Sequence, residues 1–184
     1  QTLCDLYTIK KERQTIKGLK IALWGDLKYG RTIHSLIFAL AKFGANILFC
    51  PTPGLEVPQN IIKKLVTEYG GEVEIQRASN GKKKVSAFPL DAVYITPSSP
   101  HQLAMMPGIN FDVELKTGVD ALYVTRPQKE RFTEEEGQIE SSPVVNKKFL
   151  EGKEFKKTLV MHPLPRVDEL AYEVDADPRS MYFK

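Results

Sequence analysis

The sequence predicts an α/β fold, an open and mainly parallel sheet with helices on both faces. Two observations predict it. Short apolar runs that read as buried strands alternate with segments of helical periodicity, the order that builds parallel crossover units. Runs such as IALW, ILFC, AVYI and ALYV are also apolar along their whole length, as strands covered on both faces require. At 184 residues, with 42% hydrophobic and 27% charged side chains, the chain fits one ordinary globular domain.

The elements follow in order. Leu3, Leu6, Tyr7 and Ile9 are spaced for a first helix, ending between Thr15 and Gly18. That helix begins with no capping residue or lead-in, so the chain reads as cut from something longer. Lys20 to Trp24 is a buried strand. Ile33, Leu36, Ile37, Leu40 and Phe43 line one face of a second helix, stopped by Gly44. NILFC is a strand and PTPGLEVP a proline-punctuated loop. A helix from Ile61 to Tyr69, a short strand EVEIQ and a polar loop RASNGKKK come next. DAVYITP, DALYVTR and TLVM complete the strands, while segments 100–118 and 133–156 read as loops with short helices.

Composition excludes several classes. A net charge of +3, from 26 basic and 23 acidic side chains, is too small to imply a nucleic-acid partner. No apolar run approaches the roughly 18 residues of a membrane span, and no signal peptide is visible, which makes the cytoplasm the default. Cys4 and Cys50 lack metal spacing and read as two reduced, mostly buried thiols. No metal or cofactor is expected.

Ligands in open α/β sheets gather outside the carboxyl ends of the strands. Four segments leave the strands there: GDLKYGRT, ITPSSPHQ, VTRPQKER and MHPLPRVDE, and three of them carry arginine. GDLKYGRT nearly satisfies the phosphate-loop pattern G-x-x-x-x-G-K-[ST], but arginine replaces the lysine and Asp26 sits inside the wrap, where it would repel a triphosphate. Arg31 at a helix N-terminus suits a carboxylate instead, through its bidentate fork and the helix dipole. Arg126, with Gln128 two positions on, adds a second fork and an amide, which together suit a small dicarboxylic acid. His162 is flanked by a proline-stiffened run. It reads equally as a structural group or as a donor aimed at a carbonyl oxygen. His34 reads as structural, His101 is undecided, and Lys82–Lys84 read as a solvated loop.

These residues resemble those of the aspartate carbamoyltransferase family. GDLKYGRTIHSL, YVTRPQKERF, MHPLPRVDEL, the ending VDADPRSMYFK and the opening DLYTIKKE carry the likeness, which covers essentially the whole chain. GDLKYGRT distinguishes the aspartate-using enzymes from their ornithine-using relatives. The resemblance implies an enzyme of two α/β domains, one for carbamoyl phosphate and one for L-aspartate, with trimers placing each active site at a subunit boundary. Residues 1–17 then correspond to an interdomain linking helix and 18–184 to the aspartate-binding domain. The carbamoyl-phosphate domain and a final helix are absent from this chain, so the fragment alone is expected to be inactive.

Carried over by likeness, Arg31 and Arg126 hold the two carboxylates of aspartate, with Gln128 assisting. Gln1 contacts the carbamoyl group. His162 hydrogen-bonds the carbamoyl carbonyl, and the Leu164 backbone carbonyl lies near the reacting amine. Asp26 and Lys28 order the loop that holds Arg31, and Arg166 organises the loop around His162. Pro127 departs from the family's usual valine and disfavours a helical Arg126. The implied reaction needs no metal or cofactor. The neutral amine attacks the carbamoyl carbon, an oxyanion forms, and phosphate leaves, with catalysis resting on orientation and electrostatics. A separate enzyme, a segment of a pyrimidine-pathway fusion, an assembly with regulatory subunits and a non-catalytic assembly domain all remain open alternatives.

Overall fold

The computed structural model describes residues 1–52, 54–69, 72–77, 81–87, 91–96, 118–132 and 144–182. Helix α1 (Thr2–Arg13) leads into β1 (Lys20–Gly25), α2 (Arg31–Lys42), β2 (Asn46–Pro51) and α3 (Gln59–Tyr69). Strands β3 (Glu72–Arg77), β4 (Gly81–Ala87), β5 (Asp91–Thr96) and β6 (Ala121–Thr125) follow, then the short helix α4 (Lys147–Leu150) and β7 (Leu159–Met161). The strands form one seven-stranded sheet in the order β4-β3-β5-β2-β1-β6-β7. Every pairing is parallel except β3 with β4.

The strand period of two divides the core. Ile21, Leu23, Ile47, Phe49, Ala121 and Tyr123 pack under α1, α2 and α3 on one face. Ala22, Trp24, Leu48, Cys50, Leu122 and Val124 face the other way, against Val145, Phe149, Phe155, Leu170 and Val174. The expected two-sided α/β architecture is therefore present, its second face covered by α4 and 3₁₀ turns at Lys153–Phe155 and Tyr172–Ala176. Asn146 caps α4, its Oδ1 accepting from Phe149 N–H at 2.8 Å.

Three expectations change. Gly81–Ala87, expected as a solvated loop around Lys82–Lys84, is a strand hydrogen-bonded to β3, with Glu74 opposite Lys84. Glycine and lysine are poor strand formers in isolation, and the partner strand overrides that preference. Cys4 is exposed on α1, whereas Cys50 is buried and its thiol is pushed up by burial. The first helix ends earlier than expected, at Arg13, with Gln14 in a left-handed conformation (φ 65°). His101, segment 100–117 and residues 133–143 lie outside the described residues.

The strand order also locates a crevice. From β1 the chain moves to β2 and on toward β5, then crosses back to β6 on the opposite side of β1. Such a reversal opens a ligand crevice at the carboxyl ends of the two strands concerned. At that point the backbones nearly touch: Gly25 has φ +106°, and a Cβ there would lie 2.5 Å from Thr125 O. Only glycine fits. Gly25→Ala is expected to lower stability by about 3 kcal/mol in urea unfolding, from combined strain and overlap; a loss below about 1 kcal/mol would show that the two strand ends can part freely.

Candidate functional site

Asp26 follows Gly25 and is completely buried. Its Oδ1 accepts from Lys28 N–H at 3.0 Å and Tyr29 N–H at 2.9 Å, a local turn of the kind aspartate favours. Its Oδ2 accepts from Gln128 N–H at 3.0 Å, on the loop that leaves β6. One carboxylate thus fastens the β1 exit to the β6 exit. The Thr125 hydroxyl reinforces the junction, lying 3.0 Å from Trp24 O and 3.2 Å from Asp26 O. His34 adds a ring-nitrogen contact of 3.0 Å to Leu27 O, consistent with a structural histidine. Two of the N–H groups inside the loop, those of Lys28 and Tyr29, are therefore spent on Asp26 and not on an outside anion.

The junction carries two arginines. Arg31 is the first residue of α2 and is exposed, and among the described residues its guanidinium has no hydrogen-bond partner. Arg126 leaves β6 and is partly exposed. Its fork is filled by Glu130, with Nη2 2.7 Å from Oε1 and Nη1 3.2 Å from Oε2. Those hydrogen bonds hold the Glu130 carboxyl down at about 2. The Arg126 fork is thus demonstrably shaped for a carboxylate. Pro127 is followed by a 3₁₀ turn, Lys129–Arg131, and Arg131 Nη1 donates to Tyr29 O at 3.0 Å, a second tie to the β1 loop.

Gln1 stands at the N-terminus of α1, which runs antiparallel to β6. At one end of the helix Arg13 Nη2 reaches Asp120 O (3.0 Å) and Lys157 O; nearer the other, Tyr123 OH donates to buried Asp5 at 2.9 Å. Gln1 Nε2 donates to the same carboxyl at 2.8 Å. Burial raises the Asp5 pKa, and the bonds from Gln1 and Tyr123 only partly offset it. This orientation brings Gln1 to the carboxyl-end side of the sheet, the side of Arg31 and Arg126.

The β7 exit departs from expectation. His162 is buried and both of its ring nitrogens are engaged: Nδ1 accepts from Leu164 N–H at 2.9 Å, and Nε2 lies 2.8 Å from Glu169 Oε1. Because Nδ1 accepts, the proton belongs on Nε2 and points at Glu169. Neither nitrogen remains to donate to an external carbonyl, so the expected oxyanion donor is instead an internal pin. Leu164 has φ +50° and precedes a cis peptide to Pro165. Arg166 makes paired contacts with Asp175, its guanidinium 4.1 Å from the Tyr172 ring centre. Its fork is occupied within the chain and fastens the loop to the segment around 175.

Sequence reasoning passed over Glu130, Thr125 and Glu169. No periodicity distinguishes a buried carboxylate from a surface one. Among the described residues, no group of three His, Cys, Asp or Glu could hold a metal ion, and no helix is long and apolar enough to cross a membrane.

No family model matches the chain. It is 39% identical, over 189 residues, to the aspartate carbamoyltransferase catalytic subunit of Methanocaldococcus jannaschii, covering all of this chain and 49% of that protein. It is 37% identical over 190 residues to the multifunctional protein CAD of Squalus acanthias, covering all of this chain and 7% of that protein. Among solved structures, the catalytic subunit of M. jannaschii aspartate transcarbamoylase matches with a TM-score of 0.68 and 36% identity, over 99% of this chain and 50% of that one. Aspartate transcarbamoylase from Trypanosoma cruzi, in complex with carbamoyl phosphate and aspartate, matches with 0.68 and 31% over 99% and 50%. The chain spans about half the length of the curated catalytic subunits it matches.

The Asp26 junction makes a direct prediction. Asp26→Asn replaces one acceptor oxygen by an NH₂ group facing a backbone donor, so at least one N–H is left unsatisfied in a buried place. A loss of about 2–3 kcal/mol in denaturant unfolding is expected, with faster amide exchange at Lys28, Tyr29 or Gln128. Unchanged exchange at all three would contradict the account of the junction.

Proposed function

We propose that this chain, which spans about half the length of the aspartate carbamoyltransferases it resembles, is a member of that family and forms the aspartate-binding half of such an enzyme. The full protein then transfers the carbamoyl group of carbamoyl phosphate to the amine of L-aspartate, giving N-carbamoyl-L-aspartate and phosphate for pyrimidine biosynthesis. One observation carries this reading: Arg31 and Arg126 emerge from the two loops that Asp26 binds together, at the reversal point of the sheet. Two arginines carried on one junction match a ligand with two carboxylates.

In this reading Arg31 takes one carboxylate of aspartate, and Arg126 with Gln128 takes the other. Arg126 exchanges or shares its Glu130 partner when substrate arrives. Gln1 lies near the carbamoyl group and the Leu164 carbonyl near the attacking amine. Asp26, Lys28 and Arg166 hold the loops. Nitrogen–carbon bond formation is promoted chiefly by positioning the amine, since orientation alone is worth up to about 7–11 kcal/mol. Binding of the phosphate group falls to the other half of the full protein, and the assembled enzyme is a homotrimer.

Residues 1–17 serve in this reading as a linking helix and 18–184 as the aspartate domain. The outward face of α1 supports that assignment. Leu3 is 81% and Tyr7 67% exposed, and with Phe43 they border a groove of about 380 Å³. Replacing Leu3 and Tyr7 by serine in the full-length protein is expected to leave β1 to β7 intact and to speed protease cleavage between the two halves. An unchanged cleavage rate would remove α1 from the junction.

The test of the site is Arg126→Ala in the full-length protein, assayed by carbamoyl-aspartate formation. The aspartate requirement should rise by about 10²-fold or more, as expected when a charged hydrogen-bonded partner is lost, with little change for carbamoyl phosphate. An unchanged aspartate dependence would exclude Arg126 from the site. Absence of any product from the unmodified protein would favour a non-catalytic assembly role.

A further inference from the structure

The β7 exit loop is organised around a buried carboxylate that neither arginine touches. Glu169 is 2% exposed, and its oxygens receive three donors. His162 Nε2–H reaches Oε1 at 2.8 Å, Val167 N–H lies 3.3 and 3.2 Å from the two oxygens, and Asp168 N–H is 3.1 Å from Oε2. Burial pushes this carboxyl up, and the bonds from His162 and the backbone more than reverse that, leaving it below the usual range. Through the ring, the carboxylate reaches Leu164, whose N–H is pinned to Nδ1 at 2.9 Å. A leucine at φ +50° sits in a region that L-residues seldom occupy, and it stays there only when its surroundings enforce it.

This loop also stands beside the arginine loop. Tyr123 of β6 is in register with Met161 of β7. Arg126 and Leu164 each lie three residues beyond those partners, in the loops that leave two adjacent parallel strands whose axes are about 4.8 Å apart. The backbone that His162 pins thus leaves the same carboxyl side of the sheet, from the strand next to the one that carries Arg126.

We propose that Glu169 is a positioning residue of the aspartate site, acting through His162 to hold the Leu164 backbone in place. The proposal rests on the aspartate reading above. Glu169 fixes the ring as the Nε2–H tautomer, the tautomer leaves Nδ1 as an acceptor, and that acceptor stops the Leu164 peptide from turning. An amine-bearing substrate then meets a backbone already set.

The test uses the full-length protein and Glu169→Gln. The glutamine offers one oxygen and an NH₂ that opposes the Val167 or Asp168 N–H. The expected result is a fall in kcat of about 10²-fold, the scale on which small misplacements act, together with loss of the single Nε2–H signature of His162 in ¹⁵N NMR. In a His162→Asn background, whose amide oxygen replaces Nδ1 toward Leu164, Glu169→Gln should cost much less, because its path is gone. Equal losses in both backgrounds overturn the proposal, as does an unchanged kcat. If Glu169→Gln does not fold, the wild-type spectrum decides: an Nδ1–H or doubly protonated ring at neutral pH overturns it, and a lone Nε2–H supports it. If the unmodified protein makes no carbamoyl aspartate, the aspartate reading fails, and the tautomer still reports on Glu169.

Discussion

One buried carboxylate governs the geometry of the crevice. Asp26 takes two N–H donors from its own loop and one from the loop after β6, and it is fully enclosed. A buried carboxylate is costly unless its lone pairs are met, so the three donors are obligatory partners. Arg31 and Arg126 gain their mutual placement from this arrangement without touching Asp26. The bare Gly25 backbone beside Thr125 makes the approach possible, and the carboxylate makes it permanent.

The three arginines at the strand exits show how context divides one residue type. Arg31 is exposed with no described partner. Arg126 already holds a carboxylate, that of exposed Glu130. Arg166 is closed within the chain by Asp175 and two tyrosine rings. Equal in the sequence, they differ in whether an outside anion can reach them. Reading all three as anion ligands would have been an error of counting.

Much of the fold was legible because it follows from periodicity. Ile33, Leu36, Ile37 and Leu40 specify α2 by spacing alone, and all four are buried. The apolar runs around Leu23, Phe49 and Val124 specify central strands. Strand β4 was not legible, since its lysines become strand only through pairing with β3. The arginine loops could be read from residue type and position. The role of His162 could not, because whether a histidine faces a ligand or a neighbouring carboxylate depends on Glu169, seven residues away and indistinguishable from a surface acid. Residue chemistry says what a side chain can do; only packing decides which of its atoms remain free.

The Asp26 bonds also carry a consequence for how the crevice comes into being. Two of them span two and three residues, whereas the third spans 102. The local pair can form as soon as the first turn closes, within the time of small-loop closure. The distant bond must wait until β6 has docked beside β1, which closes a far longer loop. Until then one oxygen of the carboxylate stays with water, and the two arginines belong to unconnected pieces. The chain therefore acquires its β1 loop before it acquires its paired arginines, and a state lacking docked β6 would have the β1 loop but no crevice.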